Sequence, residues 1–221
     1  MSISPKLALL EEYALVARAL SATARLMILE QLAQGERGVE ALAEKTGLTL
    51  ANCSQHLQLL RRAGFVTSRR DGKAVIYRLS DAKTLALMDL LRIVAERNLA
   101  QVERILRGLS GDDELPEAVS RDELATRLRE GSVTVLDVRP VDEYAAAHIP
   151  GALNVTLADL DRIAKSLNHG TNVVAYCRGP YCVDSRKAVA ALRRLGFDAK
   201  RLEGGLPEWR EDGRSVVTEA S

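Results

Sequence analysis

Two cysteines, Cys177 and Cys182, stand five residues apart behind an apolar run, Asn172-Val173-Val174-Ala175-Tyr176, and the loop between them reads Arg178-Gly179-Pro180-Tyr181. A thiol is a strong nucleophile once ionised, and its surroundings set the ionisation. The β-branched run predicts a buried parallel strand ending at Cys177. Beyond the loop, Val183, Val189, Leu192 and Leu195 recur among Arg and Lys up to Gly196, which predicts an amphipathic helix. Cys177 is therefore expected at the carboxyl end of a strand, where open α/β sheets bind ligands and loop amides with the helix dipole favour an anion. Such a field lowers a thiol's pKa, so the expectation is a nucleophilic thiolate rather than an inert buried sulfur. Cys182 has two readings: it attacks the Cys177 sulfur once that sulfur is modified, or it fills the loop.

The elements around this loop follow from pattern. Ser120 and Glu123 form a capping box that opens a helix to Arg129. Val133 to Val138 predicts a second buried strand, Val155 to Leu167 contains a helix, and Ala199 to Leu202 is a short strand. Strands alternating with helices give a parallel α/β sheet. Asp137 and Arg139, at the end of the neighbouring strand, either orient the Cys177 loop or form a surface ion pair; His148 and Trp209 read as structural.

Three segments carry a family resemblance: Cys177 to Cys182; Leu136-Asp137-Val138-Arg139-Pro140 through Glu143-Tyr144 and His148-Ile149-Pro150-Gly151-Ala152; and Glu203-Gly204-Gly205-Leu206-Pro207-Glu208-Trp209. Together, over residues 117–211, they resemble a rhodanese domain. The resemblance implies that Cys177 takes sulfane sulfur as a persulfide, cradled by the loop of Arg178, Gly179, Pro180, Tyr181 and Cys182. Rhodanese-like arsenate reductases and dual-specificity phosphatases carry Cys-x5-Arg, and position 183 is Val, so their chemistry is not expected.

The first half carries a different pattern. Leu7 to Leu20 and Thr23 to Gln34 predict helices, the second stopped by Gly35. Two short helices, Val39 to Lys45 and Leu50 to Ala63, are joined by Thr46-Gly47-Leu48-Thr49 with Thr49 as N-cap, which is a helix-turn-helix pattern. Phe65 to Arg70 and Lys73 to Leu79 predict a hairpin joined at Asp71-Gly72, and Ser80 precedes one long helix, Ala82 to Arg107. Gly47-Leu48-Thr49, Ser54-Gln55-His56-Leu57, Ala63-Gly64-Phe65-Val66 and the hairpin Arg69 to Tyr77 resemble the winged-helix repressors of the ArsR type over residues 10–80. That resemblance implies a homodimer paired through the first and last helices, and the last helix carries an apolar stripe from Leu85 to Leu106. Cys53, Leu57 and Leu60 share one face and are expected in the core. Thr49, Asn52, Ser54, Gln55 and Gln58 are expected to reach groove edges or phosphate, and Arg69, Arg70 and Lys73 to meet phosphates. Metal sensors of this type resemble one another in a Cys-x-Cys pair before the turn or Asp/His clusters on the last helix. Here the former stretch reads Val39-Glu40-Ala41-Leu42-Ala43-Glu44 and the latter has no His or Cys, so no metal site is expected.

Charge divides the chain. Residues 1–110 hold 16 Lys and Arg against 11 Asp and Glu, and the remainder 15 against 19, so a polyanion partner suits the first half. Three cysteines make no disulfide framework, and no apolar run is long enough to span a bilayer; a cytoplasmic location is expected. The composite expectation is an α+β winged helix-turn-helix domain at 1–108, a linker at 109–116, an α/β rhodanese-like domain with a parallel sheet flanked by helices at 117–213, and a tail at 214–221. The expected function is a transcriptional repressor that reads reactive sulfur, with double-stranded operator DNA, a second copy of the chain and a small sulfur donor as partners, no membrane and no cofactor. The alternative is a sulfurtransferase with an attached DNA-binding domain.

Overall fold

The computed structural model describes residues 4–110, 117–167, 170–179 and 182–218. It divides into two compact units, Met1–Leu87 and Met88–Ser221.

In the first unit, α1 (Pro5–Ala19) and α2 (Thr23–Ala33) precede a two-residue strand β1 (Arg37–Gly38), then α3 (Val39–Thr46) and α4 (Leu50–Arg62). Gly47, left-handed at φ 68°, ends α3, a conformation glycine adopts without Cβ strain. Thr49 opens α4 by accepting a 3.2 Å hydrogen bond from the Asn52 amide, so the turn between the helices is fixed at both sides. The hairpin is β2 (Val66–Asp71) with β3 (Ala74–Leu79), and Asp71 pairs with Ala74, which puts the two-residue turn at Gly72-Lys73 rather than Asp71-Gly72. β1 adds to β3 in a three-stranded antiparallel sheet of order β1-β3-β2. Ile28, Leu29, Leu42, Cys53, Leu57 and Leu60 are all fully buried and form the core that holds α4 on α2 and α3.

The expected single helix from Ala82 to Arg107 is two: α5 (Lys83–Asn98) and α6 (Ala100–Ser110). The Asn98 side-chain amide donates to the Val94 carbonyl at 2.8 Å, the acceptor an uninterrupted helix reserves for the Asn98 backbone amide. Such local competition is how Asn unsettles a helix interior. The backbone of α6 continues through Gly108 to Ser110, so the helix runs into the expected linker; residues 111–116 of that linker lie outside the described residues.

The second unit continues with β4 (Ala118–Val119), α7 (Arg121–Glu130), β5 (Thr134–Asp137), α8 (Val141–Ala146), β6 (Leu153–Asn154), α9 (Leu160–Ala164), β7 (Asn172–Tyr176), α10 (Asp184–Arg194), β8 (Asp198–Leu202) and α11 (Leu206–Glu211). The strands form a five-stranded sheet of order β4-β8-β7-β5-β6, parallel throughout. Residues alternate faces along each strand: Val173, Ala175 and Leu136 pack with Ala188, Val189 and Leu192 of α10, whereas Val174, Tyr176 and Val135 pack with Leu124, Leu206 and Trp209. Both faces are covered, as a parallel sheet requires. No helix among the described residues is long and apolar enough to cross a membrane.

Candidate functional site

Cys177 follows the last residue of β7, and β7 lies in the middle of the sheet, flanked by β5 and β8. Its side chain is buried, and its Sγ is bonded to Sγ of Cys182, with the two Cα atoms 6.2 Å apart. That separation is one a disulfide spans without moving the backbone. The Cys182 amide donates to the Gly179 carbonyl at 3.1 Å, closing the loop, and α10 begins two residues later. The Asp184 carboxylate lies 3.7 Å from the Cys182 sulfur. Cys177, Cys182 and Asp184 bring their potential ligand atoms within 4.8 Å of one another, but disulfide-bonded sulfurs are not thiolate ligands. Pro180 and Tyr181, both expected in the site, lie outside the described residues.

The loop is held from two sides, and sequence reasoning gave neither. Glu143 on α8 is buried and accepts from Arg178 Nε at 3.1 and 3.0 Å and from its second guanidinium nitrogen at 3.0 Å, a forked charge-assisted contact. Arg178 is thereby turned toward α8. On the other side, the Leu206 amide donates to the Cys177 carbonyl at 3.3 Å. A Cβ on Gly205 would meet Gly179 N at 2.4 Å and the Cys177 carbonyl at 2.5 Å. Only a glycine permits that approach. Glu208 accepts from the Gly205 amide at 2.8 Å, and burial pushes its carboxyl above the ordinary carboxylate range. The only prior signal for these residues was their membership in the family-like segments.

Asp137 and Arg139 lie at the end of β5, beside Cys177. They form an ion pair that is 0% and 1% exposed, so it is no surface pair. Arg139 also donates to the Ala147 carbonyl. Asp137 accepts from the Tyr176 hydroxyl at 2.5 Å, and that hydroxyl accepts from the Ile149 amide at 3.0 Å. Burial pulls the Arg139 pKa down, but its bonds to Asp137 outweigh this and raise it; burial, then Asp137, pushes the Tyr176 phenol far up. The pair thus fastens β5 to β7 one residue ahead of Cys177. His148 stacks on Tyr144 with ring centroids 3.8 Å apart, and its backbone pairs with Val217, a structural role.

In the first unit, Asn52, Gln55 and Gln58 on α4 are exposed and Ser54 is half-buried, while Cys53 faces the core; burial raises the Cys53 thiol, which makes it a poor nucleophile. Thr49 Oγ1 is occupied as the helix cap. On the hairpin, Arg69 is tied to Glu36 at 3.1 Å and to Asp71 at 2.9 Å, so a second acid, Glu36, joins the one visible in the local sequence. Arg70 and Lys73 are exposed. The arrangement presents a capped helix beside a cationic hairpin.

Comparison with known proteins finds two family models along the chain. One described as "Bacterial regulatory protein, arsR family" matches residues 23–68, and one described as "Rhodanese-like domain" matches residues 120–212. An HTH-type transcriptional regulator of Mycobacterium tuberculosis, Rv0324, is 44% identical over 212 residues, covering 96% of this chain and 92% of its own. Among solved structures, the homodimeric winged helix-turn-helix DNA-binding domain of a possible ArsR-family regulator from Mycobacterium bovis is 41% identical, covers 45% of this chain and 93% of its own, and has a TM-score of 0.41. A rhodanese-related protein from Thermoplasma volcanium is 28% identical, covers 46% of this chain and 97% of its own, and has a TM-score of 0.41.

Proposed function

The chain belongs to the HTH-type transcriptional regulators of the arsR family, with a rhodanese-like domain behind its helix-turn-helix, and from this premise we propose that it is a repressor that reads reactive sulfur at Cys177. The observation that carries the reading is the sulfur–sulfur bond at the carboxyl end of β7. A disulfide forms and opens by thiolate attack at sulfur, and persulfide formation is the same kind of reaction with a small donor. With the disulfide first reduced by a thiol, the Cys177 thiolate attacks the sulfane sulfur of a persulfide, polysulfide or thiosulfate. The donor's S–S bond breaks, the sulfane sulfur stays on Cys177, and the donor leaves as a thiol, a shorter polysulfide or sulfite.

The operator-reading surface in this proposal is Asn52, Ser54, Gln55 and Gln58 of α4 behind the Thr49 cap, with Arg70 and Lys73 meeting phosphate. Arg69 joins them when it exchanges Glu36 and Asp71 for phosphate. A homodimer is supported by apolar faces on two helices: Leu7, Leu10 and Tyr13 of α1 and Leu90 and Val94 of α5 are each half or more exposed, a density of apolar surface that soluble chains cover with a partner.

The test measures operator affinity of reduced wild type and Cys177→Ser, with and without cysteine persulfide, alongside intact mass. The expected result is added sulfur on wild type, a severalfold change in its affinity, and an unmoved Cys177→Ser. Sulfur added with no change in affinity would overturn the sensor, and sustained turnover of thiosulfate onto a thiol under those conditions would make the protein a sulfurtransferase.

A further inference from the structure

We propose that Cys182 is a second nucleophile of the site: it displaces the outer sulfur of a Cys177 persulfide as hydrosulfide, leaving the Cys177–Cys182 disulfide. The inference rests on the reading of Cys177 as the persulfide-bearing residue and adds what becomes of that sulfur.

Three observations carry it. The two sulfurs are within bonding reach through a loop closed by the Cys182 amide on the Gly179 carbonyl, so the attacking atom is delivered by the fold. Cys177 is 1% and Cys182 7% exposed; a thiol from solution reaches the inner sulfur poorly, whereas a tethered thiol attacks at a high effective concentration. The Asp184 carboxylate, 3.7 Å from the Cys182 sulfur, is the acceptor at hand for the Cys182 proton.

The step balances within the site. Cys182 attacks Sγ of Cys177, the bond from that Sγ to the outer sulfur breaks, and the outer sulfur departs with the electron pair as hydrosulfide. The sulfane sulfur is reduced to sulfide while the two cysteines are oxidised to a disulfide. Hydrosulfide is a good leaving group because its conjugate acid is comparatively acidic, and thiol–disulfide displacements are faster for such groups. Attack on the outer sulfur instead only passes the persulfide from one cysteine to the other. A further round requires a thiol or dithiol reductant that reopens the disulfide, so without one each chain releases a single hydrosulfide and stops. The persulfide is then a transient, and the lasting record of sulfur exposure is the disulfide.

The test uses the full chain, reduced, freed of reductant and kept anaerobic, mixed with cysteine persulfide or, separately, thiosulfate. Intact mass and trapped hydrosulfide are followed for wild type, Cys182→Ser, Cys182→Ala and Cys177→Ser. Wild type is expected to lose the mass of two hydrogens and release one hydrosulfide per chain. The two Cys182 variants are expected to hold an added sulfur and release hydrosulfide more slowly by roughly tenfold or more, as a lost tethered nucleophile implies; their retained sulfur itself shows that the site is folded. Cys177→Ser is expected to do neither. A wild-type persulfide as long-lived as that of the Cys182 variants would overturn the inference and leave Cys177 as the sulfur acceptor. If neither donor places sulfur on any of these proteins, and none yields disulfide with hydrosulfide, the reading of Cys177 falls and this one with it.

Discussion

A buried carboxylate is costly to ionise unless its surroundings supply charge or hydrogen bonds. Glu208 accepts from the Gly205 amide, yet burial outweighs that bond and raises its pKa above the ordinary value. The folded chain therefore holds this proton to a higher pH than the unfolded chain. The resulting stability is fully present below the unfolded pKa and is lost as pH rises from there through the folded one. Glu208→Gln keeps an oxygen for the Gly205 amide and removes the titration. Urea midpoints across a pH series should show wild type losing stability relative to Glu208→Gln as pH climbs from the ordinary carboxylate value toward neutrality, and a constant difference would refute the assignment. At this scale sequence spacing was informative only where chemistry is local. A separation of five residues between Cys177 and Cys182 already said that the sulfurs could meet. The Glu143–Arg178 contact spans thirty-five residues, and no local pattern marks Glu143 as its partner. Asp137 and Arg139, two residues apart, were legible as a pair, but their burial came from the Tyr176 hydroxyl and the Ala147 carbonyl brought in by the sheet.

The entry to α11 and the Cys177 loop are packed backbone against backbone, which makes Gly205 an element-scale constraint. An alanine there would place its Cβ 2.6 Å from Gly179 Cα as well as against Gly179 N and the Cys177 carbonyl, so loop or helix must move. Overpacking of this kind costs about 1–3 kcal/mol. We expect Gly205→Ala to lower the unfolding midpoint accordingly and to slow sulfur loading on Cys177 while operator affinity without donor stays at the wild-type value. Unchanged loading would mean that the loop needs no support from α11. Most elements of both units were readable because their apolar periodicity is strong: α2, α4, α10, β5 and β7 all lie within a few residues of where the pattern puts them. The two-residue strands β1, β4 and β6 were not, since each is defined by a partner strand distant in sequence and not by any alternation of its own. The break between α5 and α6 was hidden because the apolar stripe runs through Leu99 unbroken.

For the molecule as a whole, a sulfur site can govern a DNA site only through a coupling free energy, which works in both directions. Within the unit Met88–Ser221, Glu96 of α5 lies 2.6 Å from Arg92 and 3.6 Å from Arg186. Arg186 is 4% exposed and sits in the first turn of α10, the helix that starts beside Cys182. Burial pulls its guanidinium below the ordinary value and Glu96 opposes this. Arg201 of β8 is pushed down to about 10, by burial first and then by Arg186 and Arg92. Glu96 is the carboxylate these three cations share, and α5, which carries it, begins at Lys83, ahead of the division between the compact units. Within this unit the Arg186–Glu96 pair is a charged link from the first turn of α10 to α5. Glu96→Gln keeps the shape and removes the charge. Sulfur loading and donor-free operator affinity should stay near wild type, while the donor-induced change in affinity shrinks by about 0.5–2 kcal/mol, the range typical of residues lying between coupled sites. Anisotropy titrations of labelled operator, with and without donor, measure it. An undiminished donor effect in Glu96→Gln would mean that the signal takes a path other than the Arg186–Glu96 pair.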